Sequence, residues 1–231
     1  MSLDNPLLAP VQKDSVARLV LNRIEEALVN KELKPGDLLP SENELVKNLG
    51  VGKSSVREAI KMLEAMGVVE IRRGEGTFIR ESPSVDSINP LVFALLLEQG
   101  TSRDILQLRA MFEPAYTFMA MRNATVGDLQ AIEATITGFE AHVARGTHTV
   151  DTDMAFHLAI LNATHNPFVV KIGQVILKLF KGSMQRAVRT IPATAVADHK
   201  RIFHAFCAKD EEKLQEAITA SFQGWWAHLG G

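Results

Sequence analysis

Asp153, His157 and His199 are the residues whose types suit a metal ion. Asp153 and His157 are spaced i, i+4, so on a helix both side chains leave the same face and can grip one ion through a carboxylate oxygen and an imidazole nitrogen. His199 follows Pro192, on a separate helical stretch. Two histidines and a carboxylate are also the facial triad of non-haem iron oxygenases, a setting usually built in a β-barrel, and no barrel-forming strands are visible here. The plain alternative is a pair of core histidines held by hydrogen bonds. Arg109 adds a second chemistry: its guanidinium can fork onto a carboxylate, or pair with Glu113 one turn along its own helix. Arg186 and Asn166 are further candidates for reading a polar ligand, whereas His142, His148, His204 and His228 lack partners at useful spacing. The only cysteine, Cys207, reads as a small buried hydrophobe.

The elements that must position these groups are helices. From Ile88 onward, helical patterns run over 90–99, 102–123, 126–145, 150–164, 167–190, 193–208 and 211–229, separated by Gly, Pro, Asn or Thr breaks. Thr101 or Ser102, Thr125 with Asp128, and Asp210 are the visible caps. The pattern predicts an all-α antiparallel bundle, with Trp225 and Trp226 anchoring its last helix.

Residues 35–80 carry a different pattern. Pro35-Gly36 is a turn, and Ser41 with Glu44 forms a capping box that starts a short helix with Leu45, Val46 and Leu49 on its apolar face. Gly50 ends it. A second helix from Lys53 to Met66 buries Val56, Ala59, Ile60 and Leu63, and turns Ser54, Arg57, Glu58 and Lys61 outward. Val68–Ile71 and Thr77–Arg80 are β-rich around Gly74-Glu75-Gly76, which predicts a tight wing hairpin. This is how a winged helix-turn-helix is written, and it predicts binding to double-stranded DNA. The N-terminus of the second helix attracts phosphate through its dipole and free N–H groups, and Lys53, Ser54, Ser55 and Arg57 add donors there. Arg57 suits bidentate contact with guanine, Lys53 and the serines suit phosphate, and Arg72 and Arg73 extend from the wing. Residues 47–80 hold seven basic against four acidic residues in a chain of net charge −2. So modest an excess points to a few placed contacts and a homodimer on an inverted repeat.

Leu33, Pro35-Gly36, Leu39-Pro40-Ser41-Glu42, Val56-Arg57-Glu58-Ala59, Gly67 and Gly76-Thr77-Phe78 resemble the GntR family of bacterial transcriptional regulators. The resemblance implies DNA contacts at Asn43, Gly52, Lys53, Ser54, Arg57, Arg73 and Gly74, with Val51-Gly52-Lys53 where the family usually reads Val-Ser-Arg. The frames Asp153–His157, His165-Asn166-Pro167 and Asp198–Phe203, with Arg109 and Glu113-Pro114, resemble the FadR-type effector domain in its metal-binding subset. That subset implies a divalent ion, zinc or nickel, on Asp153, His157 and His199, and a third histidine where this chain has Ser221. Ser221 then leaves more positions open to water or effector and can hydrogen-bond a ligand hydroxyl. Phe112–Ala115 and Leu161–Phe168 resemble the galactonate-responsive branch, which implies a small hydroxy or sugar acid as effector.

With 231 residues and 46% apolar composition, the chain can bury two cores. The expected organisation is a DNA-binding domain over 10–80, a polar linker over 81–89 and a helical ligand-binding and dimerisation domain over 90–231. The wholly apolar run Leu91–Leu97 is far shorter than the roughly 20 residues that span a bilayer. A single cysteine and no secretory pattern fit a cytoplasmic chain, and together with the family resemblance they lead to the expectation of a cytoplasmic, non-enzymatic repressor.

Overall fold

The structure is a computed structural model that describes residues 15–82, 89–98, 100–187 and 192–229, with the backbone alone described at 182–187, 192 and 224–229. The chain divides into two compact units, Met1–Pro90 and Leu91–Gly231.

The first unit holds α1 (Val16–Val29), α2 (Glu42–Leu49), α3 (Lys53–Ala65), β1 (Val69–Arg72) and β2 (Gly76–Ile79). Ser41 starts α2 through the expected capping box: Ser41 Oγ accepts from Glu44 N, and the Glu44 carboxylate accepts from Ser41 N at 2.8 Å. Gly50 ends it at φ 65°, in the left-handed region. The apolar faces of α1, α2 and α3 meet over Val20, Ile24, Leu45, Val56, Ile60 and Leu63, with Leu39, Val69 and Ile79 closing the core. The strands pair antiparallel, Val69 opposite Ile79 and Arg72 opposite Gly76, and Leu38 adds a bridge to Phe78. The wing hairpin is therefore tied to the segment that leads into α2.

The second unit holds α4 (Pro90–Leu97), α5 (Ser102–Asn123), α6 (Val126–Ala144), α7 (Val150–Asn162), α8 (Pro167–Ala187), α9 (Pro192–Ala208) and α10 (Glu211–Leu229). Thr101 with Asp104, Thr125 with Asp128 and Thr149 with Thr152 form capping boxes, so three helix starts are set by local hydrogen bonds. At the start of α10, Asp210 Oδ1 accepts from Lys213 N at 3.0 Å. Around the site, α5 packs on α7, α8 and α10, while α9 packs on α6 and α10. Their shared core includes Leu106, Tyr116, Phe156, Phe180, Phe206 and Leu214. Gly173 permits the close approach of α7 and α8, because a Cβ there would stand 2.5 Å from Leu161 Cδ1. Among the described residues, no helix is long and apolar enough to cross a membrane. Trp225, Trp226 and His228 lie in α10, and their side chains fall outside the described residues, as does most of the segment 81–89.

Candidate functional site

On the first unit, Lys53, Ser54, Arg57, Glu58 and Lys61 line the open face of α3. Gly52 precedes α3 without a side-chain cap, so the orphan N–H groups of its first turn face outward beside Lys53 and Ser54. Two residues of α2 hold the basic groups. Arg57 Nε donates to Glu42 Oε2 at 2.8 Å, and Lys53 Nζ donates to Asn43 Oδ1 at 2.9 Å. Binding Arg57 through Nε leaves its terminal nitrogens to fork outward. On the wing, the Arg72 guanidinium lies 4.4 Å from the centre of the Phe78 ring and pairs with Glu70. Arg73 is exposed next to Gly74, whose φ of 84° makes the turn. Ser55 is half-buried, nearer the helix packing face than Ser54. Asn43, Lys53, Ser54, Arg57, Arg72, Arg73 and Gly74 are all exposed. The holding of Arg57 by Glu42 had no signal in helical periodicity, since it crosses from one helix to the next.

In the helical unit the residues that could do chemistry are buried together. Arg109, Glu113, Asp153, His157 and His199 are each at most 4% exposed. One donor atom from each of Asp153, His157 and His199 lies within 4.8 Å of the others. A small cavity of about 10 Å³ is lined by Arg109, Asp153, His157, Asp198, His199 and Ser221, among others. Helix geometry delivers the first two ligands from one face of α7, and α9 supplies the third. The rings are held by aromatic contact: Phe156 stacks on His199 with centroids 4.1 Å apart and meets His157 edge-on at 5.3 Å. Phe180 lies beneath the Arg109 guanidinium at 4.2 Å.

Glu113 organises this cluster. Its Oε2 accepts from Arg109 Nε at 2.5 Å, and its Oε1 stands 3.0 Å from His157 Nδ1. A carboxylate at Nδ1 keeps the proton there, so the Nε2 lone pair of His157 faces the cluster, an arrangement common behind metal-bound histidines. His157 Nε2 is 3.3 Å from His199 Nε2 and 2.8 Å from Arg109 Nη2, whose N–H it accepts. Burial would raise the Glu113 carboxyl, but Arg109 and His157 outweigh that and hold it well below the usual carboxylate range. Burial raises the Asp153 carboxyl against the pull of His157 and Arg109, and lowers His199, helped by His157. Both Asp153 oxygens and His199 Nδ1 are buried without a hydrogen-bond partner; His199 Nε2 stands 3.5 Å from Asp153 Oδ1. Orphaned buried acceptors are costly and call for an ion, a water or a ligand. Two imidazole nitrogens and a carboxylate oxygen suit a divalent ion of the zinc or nickel type, so these residues fit such a group.

Ser221 lines the cavity, and its hydroxyl donates to Ile218 O at 2.7 Å within its own helix. Asn166 stands apart from the residues lining that cavity. Its Oδ1 accepts from Phe168 N at 3.0 Å and Val169 N at 3.3 Å, capping α8. Arg186 belongs to α8 by its backbone, and its side chain falls outside the described residues. The guanidinium of Arg109 makes the ion pair with Glu113 and also lines the cavity. Two of the other histidines have hydrogen-bond partners, His142 with the nearby Thr147 and His165 with Asp128 of α6. Cys207 is exposed, not the buried hydrophobe expected; its place near the end of α9 turns it outward. In the sequence, the spacing of Glu113 marks it only as a partner for Arg109. Its contact with His157 spans α5 and α7 and could not be read from spacing.

Residues 17–79 match the family of bacterial regulatory proteins called gntR, and residues 104–224 match the FCD domain. The HTH-type transcriptional regulator LutR of Bacillus subtilis (strain 168) is 30% identical over 198 residues, covering 83% of this chain and 90% of that protein. The putative L-lactate dehydrogenase operon regulatory protein of Escherichia coli (strain K12) is 31% identical over 212 residues, covering 87% of this chain and 81% of its own length. Among solved structures, a GntR protein of Streptococcus agalactiae matches with a TM-score of 0.64 at 25% identity, over 90% of this chain and 97% of that one. These relatives are regulators, not enzymes, which removes the iron-oxygenase alternative.

Proposed function

The chain belongs to the GntR family of bacterial transcriptional regulators, with an FCD effector domain after its DNA-binding module, and on that premise we propose that it is a cytoplasmic homodimeric repressor released from an inverted-repeat operator by a small hydroxy or sugar acid. The observation that carries this reading is the buried convergence of Arg109, Asp153, His157 and His199 on one small cavity with unsatisfied acceptors. Asp153, His157 and His199 would hold a divalent ion, which would supply Lewis-acid attraction for the carboxylate of such an acid.

The protein's own residues do the rest. Glu113 fixes the His157 tautomer, Phe156 fixes the plane of His199, and Arg109 carries the positive charge that reads a carboxylate. Ser221 stands where a fourth protein ligand would otherwise close the site, leaving room for the acid. Because the ligands come from α7 and α9 and the guanidinium from α5, a bound acid draws three helices together. On the DNA side, Arg57 reads a base edge while Lys53, Ser54, Asn43, Arg72 and Arg73 fix the register on phosphate. The E. coli relative is named for an L-lactate dehydrogenase operon, which supports a hydroxy acid as the effector class.

The test is an operator titration, using DNA selected by the purified protein from a random pool, with and without L-lactate and D-galactonate. The effective acid weakens operator binding by about 5- to 150-fold, the usual span of allosteric coupling. His199→Ala keeps operator affinity and loses the response. If His199→Ala responds to the acid as the parent does, the effector site lies elsewhere.

A further inference from the structure

The position of Arg109 adds regulation to this site, and the inference rests on the metal-and-acid reading above. We infer that Arg109 is a built-in competitor of the metal ion, so that metal and a monocarboxylate acid bind cooperatively and each is held weakly without the other.

The distances carry the argument. Arg109 Nη2 stands 2.8 Å from His157 Nε2, the atom that Glu113 leaves with its lone pair toward the cluster. An ion on that nitrogen sits at about 2.0–2.1 Å. Whatever its direction, it then lies within about 5 Å of the guanidinium nitrogen, in a site nearly closed to water. Two like charges at that range repel strongly where solvent screens them little. Arg109 is also anchored by Glu113 at 2.5 Å and by the Phe180 ring at 4.2 Å, so it cannot swing into solvent without leaving a buried carboxylate uncompensated. Metal therefore enters against a positive charge that cannot leave the site.

The charge count then names the second ligand. A divalent ion and Arg109 face Asp153 and Glu113, while the third carboxylate at the cavity, Asp198, is paired with Arg201, which leaves one positive charge buried in the site. A single carboxylate neutralises it. It would do so best where Arg109 can also donate to it, because a guanidinium donates to two oxygens in one plane. The cavity of about 10 Å³ holds no such acid as it stands, so displacement of Arg109 from His157 is also what makes room. Metal raises the affinity for acid, and by linkage acid raises the affinity for metal by the same factor.

Calorimetric titration of the full chain with Zn²⁺ or Ni²⁺ alone, and in the presence of acetate, L-lactate or D-galactonate, tests the inference. In the absence of acid, Arg109→Met binds metal about 10- to 100-fold tighter than the parent, the scale of effects from groups behind metal ligands. Arg109→Lys, which keeps the charge, stays close to the parent. At least one of the acids tightens metal binding to the parent by about 5-fold or more, and this gain shrinks in Arg109→Met. Should Arg109→Met fail to fold, the double variant Arg109→Met/Glu113→Gln removes both buried charges and is expected to show the same loss of coupling. An Arg109→Met protein with the parent's metal affinity overturns the inference, as does a parent whose metal affinity ignores all three acids. A parent that takes up no more metal than His199→Ala defeats the metal reading itself, which separates the two failures.

Discussion

Replacing Glu113 with glutamine tests whether the buried cluster is organised as its distances indicate. The substitution keeps the shape and one carbonyl acceptor but removes the negative charge shared by Arg109 at 2.5 Å and His157 at 3.0 Å. Both partners are about 5% exposed at the side chain, so solvent does little to replace the lost charge. Breaking a buried pair from one side costs about 3–5 kcal/mol; the retained acceptor places Glu113→Gln near the lower end, about 3 kcal/mol. With a urea slope of about 2 kcal/mol per molar, the midpoint of the helical unit falls by about 1.5 M. The pH dependence has a definite sign. The Glu113 carboxyl is held below its ordinary value of 4.5, so its contribution is fully present above that value and is lost as pH falls through the lower folded value. Parent and variant therefore differ fully at pH 7 and converge only in strong acid. The double variant Arg109→Met/Glu113→Gln should recover most of the loss, because a neutral pair leaves no unpaired charge. Urea unfolding at pH 7 followed by circular dichroism measures all three proteins. A loss below about 1 kcal/mol for Glu113→Gln, or a double variant no more stable than the single one, would refute the ion-pair argument.

Other perturbations act on separate parts of the chain. Arg57→Ala should weaken operator binding by about 1–3 kcal/mol and relax preference at one base position, whereas Lys53→Ala should chiefly flatten the salt dependence; gel-shift titrations at several salt concentrations measure both. Asp128 caps α6 through Thr125, accepts from His165 at 2.8 Å, and has its carboxyl lowered to about 2, first by the Thr125 side chain. Asp128→Ala should cost about 1–2 kcal/mol at neutral pH, a difference that shrinks as pH falls from about 4 to about 2 in acid-unfolding curves. Gly173→Ala should destabilise by about 1–3 kcal/mol, since the added methyl meets the fully buried Leu161; thermal melts showing an unchanged or higher Tm would count against that close approach.

The sequence by itself determined the elements and one edge of the site. The starts of α2, α5 and α10 were legible because the caps at Ser41, Thr101 and Asp210 act within a few residues, so their hydrogen bonds are set before any tertiary contact forms. Asp153 and His157 share a face for the same reason, since helical periodicity alone aligns them. Tertiary packing decided everything that crosses from one helix to another. The approach of α5 to α7 brought Glu113 onto His157, the packing of α8 and α10 against α5 placed Phe180 and Ser221 beside Arg109, and the contact of α2 with α3 gave Arg57 its Glu42 partner. Asn166, expected at the ligand, serves as a cap because its carbonyl oxygen finds the N–H groups of Phe168 and Val169 two and three residues away. Such partners depend on interhelical distances of a few ångströms, and these arise from how the apolar faces interlock, not from the spacing of residues along one chain segment.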